Sequence, residues 1–463
     1  MRNVVGSMAM ATVLLATSGC SMLRSTIGAY ETGPDGIARP QQELREALVR
    51  ADFVAALGWH EDDALLRALG IGASSYYASQ FARSVAALDS AALLADDRIT
   101  NSVSANAVAL VTNDLARPYQ ARRTERLFIP YYAMLAYARL EQWEDAAVEA
   151  RRLSGLLAQY AADRNDSERA THATLHYLTG VVFERAGEKN DAQVAYRLAR
   201  ALLPEQVDSA RRRTAKGEGE ILVVLERGFV AHRATETISV FLGESDRDAL
   251  EHNDGEESAG VVRRITDKLS QVNNSERAPI AGDKSRGPRR EHEHHDDDDG
   301  YWLRVSFPSM RRAPRFSGEP SVLVDGEQAV STRVGSVLDD AVSADESRER
   351  TALLARAVAR AGAKYAVTKA VKDSRGDVAG SITNIGAALM ERADIRSWHL
   401  LPQSVTLLRV RVPAGQRTVH INVDDGMEGV ELGEVLVRPG QVTIVPARVW
   451  RETARSGRLA MNR

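Results

Sequence analysis

The sequence predicts an α+β chain of several domains, all-helical over 41–213 and strand-rich over 214–242 and 301–450. Three observations predict it. Residues 41–213 are rich in Ala, Leu, Arg and Glu, with apolar positions at helical spacing. Alternating and β-branched runs begin near Gly217. The 463 residues, 44% hydrophobic and 27% charged, suffice for two or three packed cores. A net charge of −3 argues against nucleic acid as a partner.

In the helical half, Leu44, Ala47, Leu48, Ala51 and Ala55 follow the spacing of one helix face. Further on, Gly180, Phe183, Gly187, Ala192, Tyr196, Ala199 and Pro204 resemble the tetratricopeptide pattern: small residues where paired helices touch, aromatics beside them, a Gly turn and a terminating Pro. A looser copy runs from Tyr131 to Leu157, with Tyr137, Ala146 and Ala150 in matching places, and a third from Leu69 to Asp96, with Gly72, Leu88 and Ala91. Ala146 and Ala192 stand 46 residues apart, against roughly 34 for the regular repeat. The expected unit is therefore an irregular, tetratricopeptide-like stack of hairpins whose aromatics are core.

In the second half, Ile221-Leu-Val-Val-Leu225 reads as a buried strand, and Thr237–Leu242 and Leu303–Phe307 alternate as strands do. Val322 and Val324 precede an Asp325-Gly326 hairpin signal. Leu353, Leu354, Ala357, Val358, Ala361 and Tyr365 define a helix, and 382–392 a second. Strands expected at 405–412, 418–423, 434–437 and 442–445 form a meander, giving a β-sandwich-like domain with two helices and a tail, 451–463. Residues 243–300 are polar and charged, too poor in apolar surface to offset chain entropy, and are expected to be a disordered insertion. His292, His294 and His295 within it are weak candidates for zinc or nickel, lacking a second shell to fix them. No specific metal site and no cofactor are expected.

The N-terminus has the parts of a secretory signal: Arg2, a short apolar core from Met8 to Ala16, then small residues. Thr17-Ser18-Gly19-Cys20 resembles a bacterial lipobox, with Thr17 where Leu is usual. The resemblance implies cleavage after residue 19 and acylation, palmitate included, of Cys20, the single cysteine of the chain. Residues 20–40 then form a tether, and Ser21 implies outer-membrane sorting, facing the periplasm.

Several stretches resemble a little-characterised family of bacterial lipoproteins with a tetratricopeptide-like N-terminal region and a β-rich C-terminal domain. These are Arg117-Pro-Tyr119, Glu125 through Tyr131-Tyr132 to Arg152, Leu353–Lys364, Ala393–Pro402 and Arg409–Gly415. The resemblance covers most of 100–450 outside the acidic insertion and implies an architecture more than an activity. Within it Asp394, Arg396, Trp398 and His399 form a polar-aromatic cluster. Its expected role is to pin neighbouring elements through an ion pair and ring stacking, with recognition of a glycan or peptide as the alternative.

Gly70-Ile-Gly72 and Gly217-Glu-Gly219 lack the third glycine of a dinucleotide turn, and there is no nucleophile elbow and no zinc-binding His-Glu-x-x-His. His172 and His176, one helical turn apart, read as a surface pair without a third ligand. The expected function is a periplasmic scaffold or adaptor whose helical groove binds another envelope protein or a peptide. The alternatives are a peptidoglycan-binding or peptidoglycan-acting enzyme, and metal buffering by the His/Asp run.

Overall fold

Asp63 starts the first long helix by accepting from the backbone N–H groups of Leu65 and Leu66 at 2.9 and 3.1 Å. In this computed structural model the described residues are 32, 36–100, 118–208, 215–251, 257, 259–267, 301–316, 318–375, 393–423 and 429–450. Cys20, the expected helix 382–392, the three histidines of the His/Asp run and the tail lie outside them.

Two short helices, α1 (Arg39–Val49) and α2 (Phe53–Leu57), precede three helical hairpins. These are α3 (Ala64–Tyr77) with α4 (Phe81–Thr100), α5 (Arg123–Arg139) with α6 (Trp143–Gln159), and α7 (Asp166–Ala186) with α8 (Lys189–Leu202). A short α9 (Pro204–Asp208) follows, starting at the Pro expected to end the hairpin. Each first helix ends in the same way. Ser79, Glu141 and Gly187 take φ values of +58°, +58° and +82°. The next N–H, of Gln80, Gln142 or Glu188, reaches back to the carbonyl of Ser75, Tyr137 or Phe183 at 2.8, 3.0 and 2.8 Å. That is the long bond of a Schellman turn, which Gly makes without strain and other residues at a cost of about 1 kcal/mol or more.

Helix contacts in the hairpins are set by missing side chains. A Cβ on Gly180 would lie 2.8 Å from the Tyr196 ring, and one on Gly72 2.7 Å from Leu88 Cδ2. Ala146, Ala150, Ala192 and Ala199 are buried beside them, as is Phe183. Cations join successive hairpins: the Arg139 guanidinium lies 5.4 Å from the Phe81 ring centre, and that of Arg185 4.3 Å from Trp143. The single stripe expected from Leu44 to Ala55 is broken. α1 stops before Ala51, whose φ is +55°, and Ala55 is exposed on α2.

Among the described residues the second half holds three sheets. β1 (Glu218–Arg227) lies between β10 (Val442–Val449), parallel, and β7 (Ser404–Pro413), antiparallel, and β6 (Ser331–Val337) completes that sheet. β4 (Ser321–Val324), β5 (Glu327–Ala329), β8 (Gly415–Asn422) and β9 (Val430–Val437) form a second four-stranded sheet, with the expected turn at Asp325-Gly326, both at positive φ. β2 (His232–Leu242) and β3 (Tyr301–Arg311) make a two-stranded ribbon. The C-terminal strands are therefore not a meander: β7 and β10 flank β1, while β8 and β9 belong to the other sheet. Alternation marks a strand but not its partner. Here the reversal at Gly415 (φ +129°) carries the chain across to the other sheet.

Part of the stretch expected to be disordered is ordered. α10 (Glu244–Glu251) and helical residues 259–267 bury Ala249, Leu250, Val261 and Ile265 against the ribbon and against α11 (Leu338–Arg375). Those few apolar residues at helical spacing are masked, in a composition average, by the charges around them. α11 itself starts fifteen residues before Leu353, over about four largely polar helical turns that periodicity alone passed over.

The expected boundary between a helical and a β-rich domain is not a boundary in the core. One apolar cluster runs from Leu44 on α1 through Phe128, Tyr132 and Val181 to Leu222 and Val224 of β1, Leu407 of β7 and Val442 of β10. The opposite face of β1 and β7 packs on β4 and β8 in a second cluster. β1, whose residues from Gly219 to Arg227 are all buried, is thus covered on both sides.

Candidate functional site

The residues singled out in the sequence converge where the helices meet the sheets. An extended strap, 393–403, lies along that seam. Arg396 holds Asp394 through Nε and Nη2, both at 2.8 Å, and its guanidinium stands 3.9 Å from Asp63 and 5.9 Å from the Tyr119 ring centre. Trp398 is buried, its ring 5.7 Å from that of Tyr132. Arg45 of α1 donates twice to the His399 carbonyl, at 3.1 and 2.9 Å. The His399 ring contacts Ser397 Oγ at 3.3 Å and lies 6.0 Å from His232; burial and the Arg45 cation hold it well below the usual histidine range.

Glu125, at the start of α5, organises the strap. Its Oε2 accepts from the Tyr119 hydroxyl at 2.5 Å and from the Arg122 N–H at 2.8 Å, and its Oε1 accepts from the Trp398 N–H at 2.7 Å. One carboxylate thereby caps a helix and fixes the strap on it. Asp345 of α11 supplies a second cap from outside, accepting from the Thr124 N–H at 2.8 Å. Burial pushes the Asp345 carboxyl up to about 6. Beside it Arg348 bridges to Glu168 at the start of α7, and Arg233 of β2 grips one oxygen of Glu346 from Nε and Nη2 at 2.8 and 2.5 Å. Burial raises the Glu346 carboxyl as well, against the pull of Arg122.

A third charge lies deeper. Glu226 of β1 accepts from the Tyr131 and Tyr77 hydroxyls, both at 2.9 Å, and Tyr77 shares a 2.7 Å hydrogen bond with Tyr132. Its register partner on β10, Arg448, stands 3.6 Å away and stacks 4.2 Å from the Trp450 ring centre. Burial raises the Glu226 carboxyl and keeps all three phenols protonated, so they act as donors.

Two small cavities flank Trp398, of about 20 and 10 Å³. Each has room for about one water molecule. Among the described residues no group of three His, Cys, Asp or Glu is arranged to hold a metal, and no helix is long and apolar enough to cross a membrane.

All four members of the Asp394–His399 cluster therefore lie in the seam, arranged to pin elements together. The inner face of the hairpins, expected as a peptide groove, is covered by the chain's own strap, α11 and β1–β7–β6 sheet. His172 and His176 are not on the surface: they are 2% and 6% exposed, and neither Nδ1 has a hydrogen-bond partner. Sequence reading missed Glu125, Glu226, Asp345 and Arg448. A signal existed for two of them, since Glu226 closes the apolar run 221–225 and Arg448 sits within an apolar strand. Comparison with protein-family models and with curated proteins finds no match for this chain.

Proposed function

We propose that this chain is a lipid-anchored protein of the bacterial outer membrane, tethered through Cys20, that serves as a scaffold for another envelope protein. In this reading the three hairpins are tetratricopeptide-like and the two four-stranded sheets form a sandwich. The supporting observation is which surface the hairpins leave free. With their first helices turned onto the chain's own sheets, the outer row α4, α6 and α8 is what a partner would meet. Val148 and Val194 take the same place in successive hairpins, two residues after Ala146 and Ala192, and are 53% and 43% exposed. Leu93 of α4 and Leu198 of α8 are also exposed, at 72% and 44%. Single exposed apolar residues are ordinary, but a position repeated on the outer helices of successive hairpins offers a partner helix or strand a recurring apolar contact. Anchoring raises the effective concentration of a partner in the same membrane, so modest affinity is enough.

The test is affinity purification of the tagged protein from detergent-solubilised envelopes, beside a Val148→Asp/Val194→Asp/Leu198→Asp variant, with a palmitate label carried through both. A labelled chain that recovers a partner only with the native helix row supports the reading. A chain left unlabelled, or labelled equally in a Cys20→Ser variant, removes the anchor. A partner list unchanged by the triple variant removes the proposed face.

A further inference from the structure

α7 carries a buried polar stripe that the scaffold reading does not use. Glu168, His172, His176 and Thr179 recur at four-, four- and three-residue steps, so they lie along one side of the helix. All four are buried. At the N-terminal end of the stripe, Glu168 is held by Arg348 of α11, and α7 also lies on β6 and β7. Thr179 turns its hydroxyl back to the His176 carbonyl at 2.9 Å, and the Nδ1 atoms of both histidines are buried without a partner. Two imidazoles are thus buried on the side of α7 whose Glu168 meets Arg348 of α11, with no acceptor beside either Nδ1 for a proton added there.

We propose that this stripe makes the contact of α7 with the C-terminal half a proton-sensitive joint, closed at neutral pH and loosened by acid. The charges around it favour that direction. Arg164, in the turn before α7, bears on both rings, and His176 and, from α11, Arg348 bear on His172 in the same sense, with Glu168 acting there as a counter-charge. The strands on α7 bring further cations already paired: Arg333 of β6 with Glu319, and Arg409 of β7 with Glu220 and Glu184. A protonated ring here would meet Arg164 and, at His172, Arg348 as well, in a buried setting that screens charge weakly.

Burial first, and Arg164 next, push His172 and His176 down to about 4. In an open joint both rings return to the ordinary histidine range near 6.5. A closed-state value below the open-state value means that protons favour the open state as pH falls from about 6.5 towards 4. At pH 5 the shift is about thirty-fold per histidine. Asp345 and Glu346, between α11 and the start of α5, have the opposite sign: burial raises them, so acid tightens that contact. Acid would therefore loosen one contact of the seam and not the other. Use of the joint in a cell rests on the envelope placement proposed above; the joint itself does not.

Hydrogen exchange on the full chain, resolved by segment and corrected for the intrinsic pH dependence of exchange, tests this at pH 7.5 and 5.0. The expected result is a loss of protection in α7 and β6 of about tenfold or more, with α3 and α4 unchanged, that shrinks to within about twofold in His172→Leu/His176→Leu. Flat protection in the native chain overturns the proposal, as does an equal loss in the variant. If the double variant does not fold, Arg164→Gln decides. Removing that cation brings the closed-state value nearer the open-state one, so the loss measured down to pH 3.5 must shrink, and an undiminished loss overturns the joint. Neither outcome bears on acylation of Cys20, which the palmitate label reads separately.

Discussion

At the scale of the residue, glycines show how closely local geometry limits substitution. Gly180 and Gly155 both lie inside helices, where alanine is preferred by about 1 kcal/mol. The two sites differ in what a Cβ would touch. At Gly155 nothing lies within 4 Å, whereas at Gly180 the Tyr196 ring is 2.8 Å away. Gly155→Ala should therefore stabilise the protein by about 0.5–1 kcal/mol. Gly180→Ala should destabilise it by about 1–2 kcal/mol, because the overpacked ring must shift and breaks its hydroxyl contact with Glu184 at 2.6 Å. Urea denaturation of the two variants beside the native chain checks the signs. Equal effects would mean that the hairpin contact at Tyr196 yields freely.

At the scale of the element, helix α5 depends on carboxylates from two sources. Glu125 is local and Asp345 comes from α11, far along the chain. Glu125→Ala would leave the Tyr119 hydroxyl and the Arg122 and Trp398 N–H groups buried without an acceptor, and is expected to cost about 3–5 kcal/mol. A loss in urea denaturation below about 1 kcal/mol would show that water replaces the carboxylate. Asp345 carries a pH signature. Its folded-state value of about 6 exceeds the ordinary 3.8. The folded state therefore binds this proton more readily, and stability rises as pH falls from about 6 towards 4, with a slope approaching 1.4 kcal/mol per pH unit. In Asp345→Asn, whose amide oxygen can still accept from Thr124, that part of the rise should vanish from urea midpoints measured between pH 7 and 4. Helical periodicity and Gly–aromatic offsets made the hairpins legible, because each contact is local in the chain. The trans cap was not legible, because nothing near Thr124 says that a carboxylate arrives from α11.

At the scale of the molecule, two parts that read as separate domains share one core. The composition shift near Gly217 marks a change of secondary structure, from 3.6-residue to two-residue periodicity. It carries no information on whether the apolar faces on either side meet. They do meet: Leu222 and Val224 of β1 and Leu407 of β7 join the cluster of Phe128 and Tyr132, and Glu226 takes its hydroxyl donors from α3 and α5. The legible elements thus stand in an arrangement set by long-range pairing, which spacing does not encode. The same fact bears on stability. A fragment of 36–208 would expose the buried faces of α3, α5 and α7, with tyrosines whose acceptor is gone, so it should not fold as a cooperative unit. In the full chain the core couples both halves. Unfolding in urea followed by far-ultraviolet circular dichroism, which weights the helices, should coincide with unfolding followed by the fluorescence of Trp398 and Trp450 at the seam, read in a chain whose Trp59, Trp143 and Trp302 are replaced by Phe. Two separate transitions, or a cooperatively folded 36–208 fragment, would show that the helical half keeps its own core and that the seam is a docking contact between independent domains.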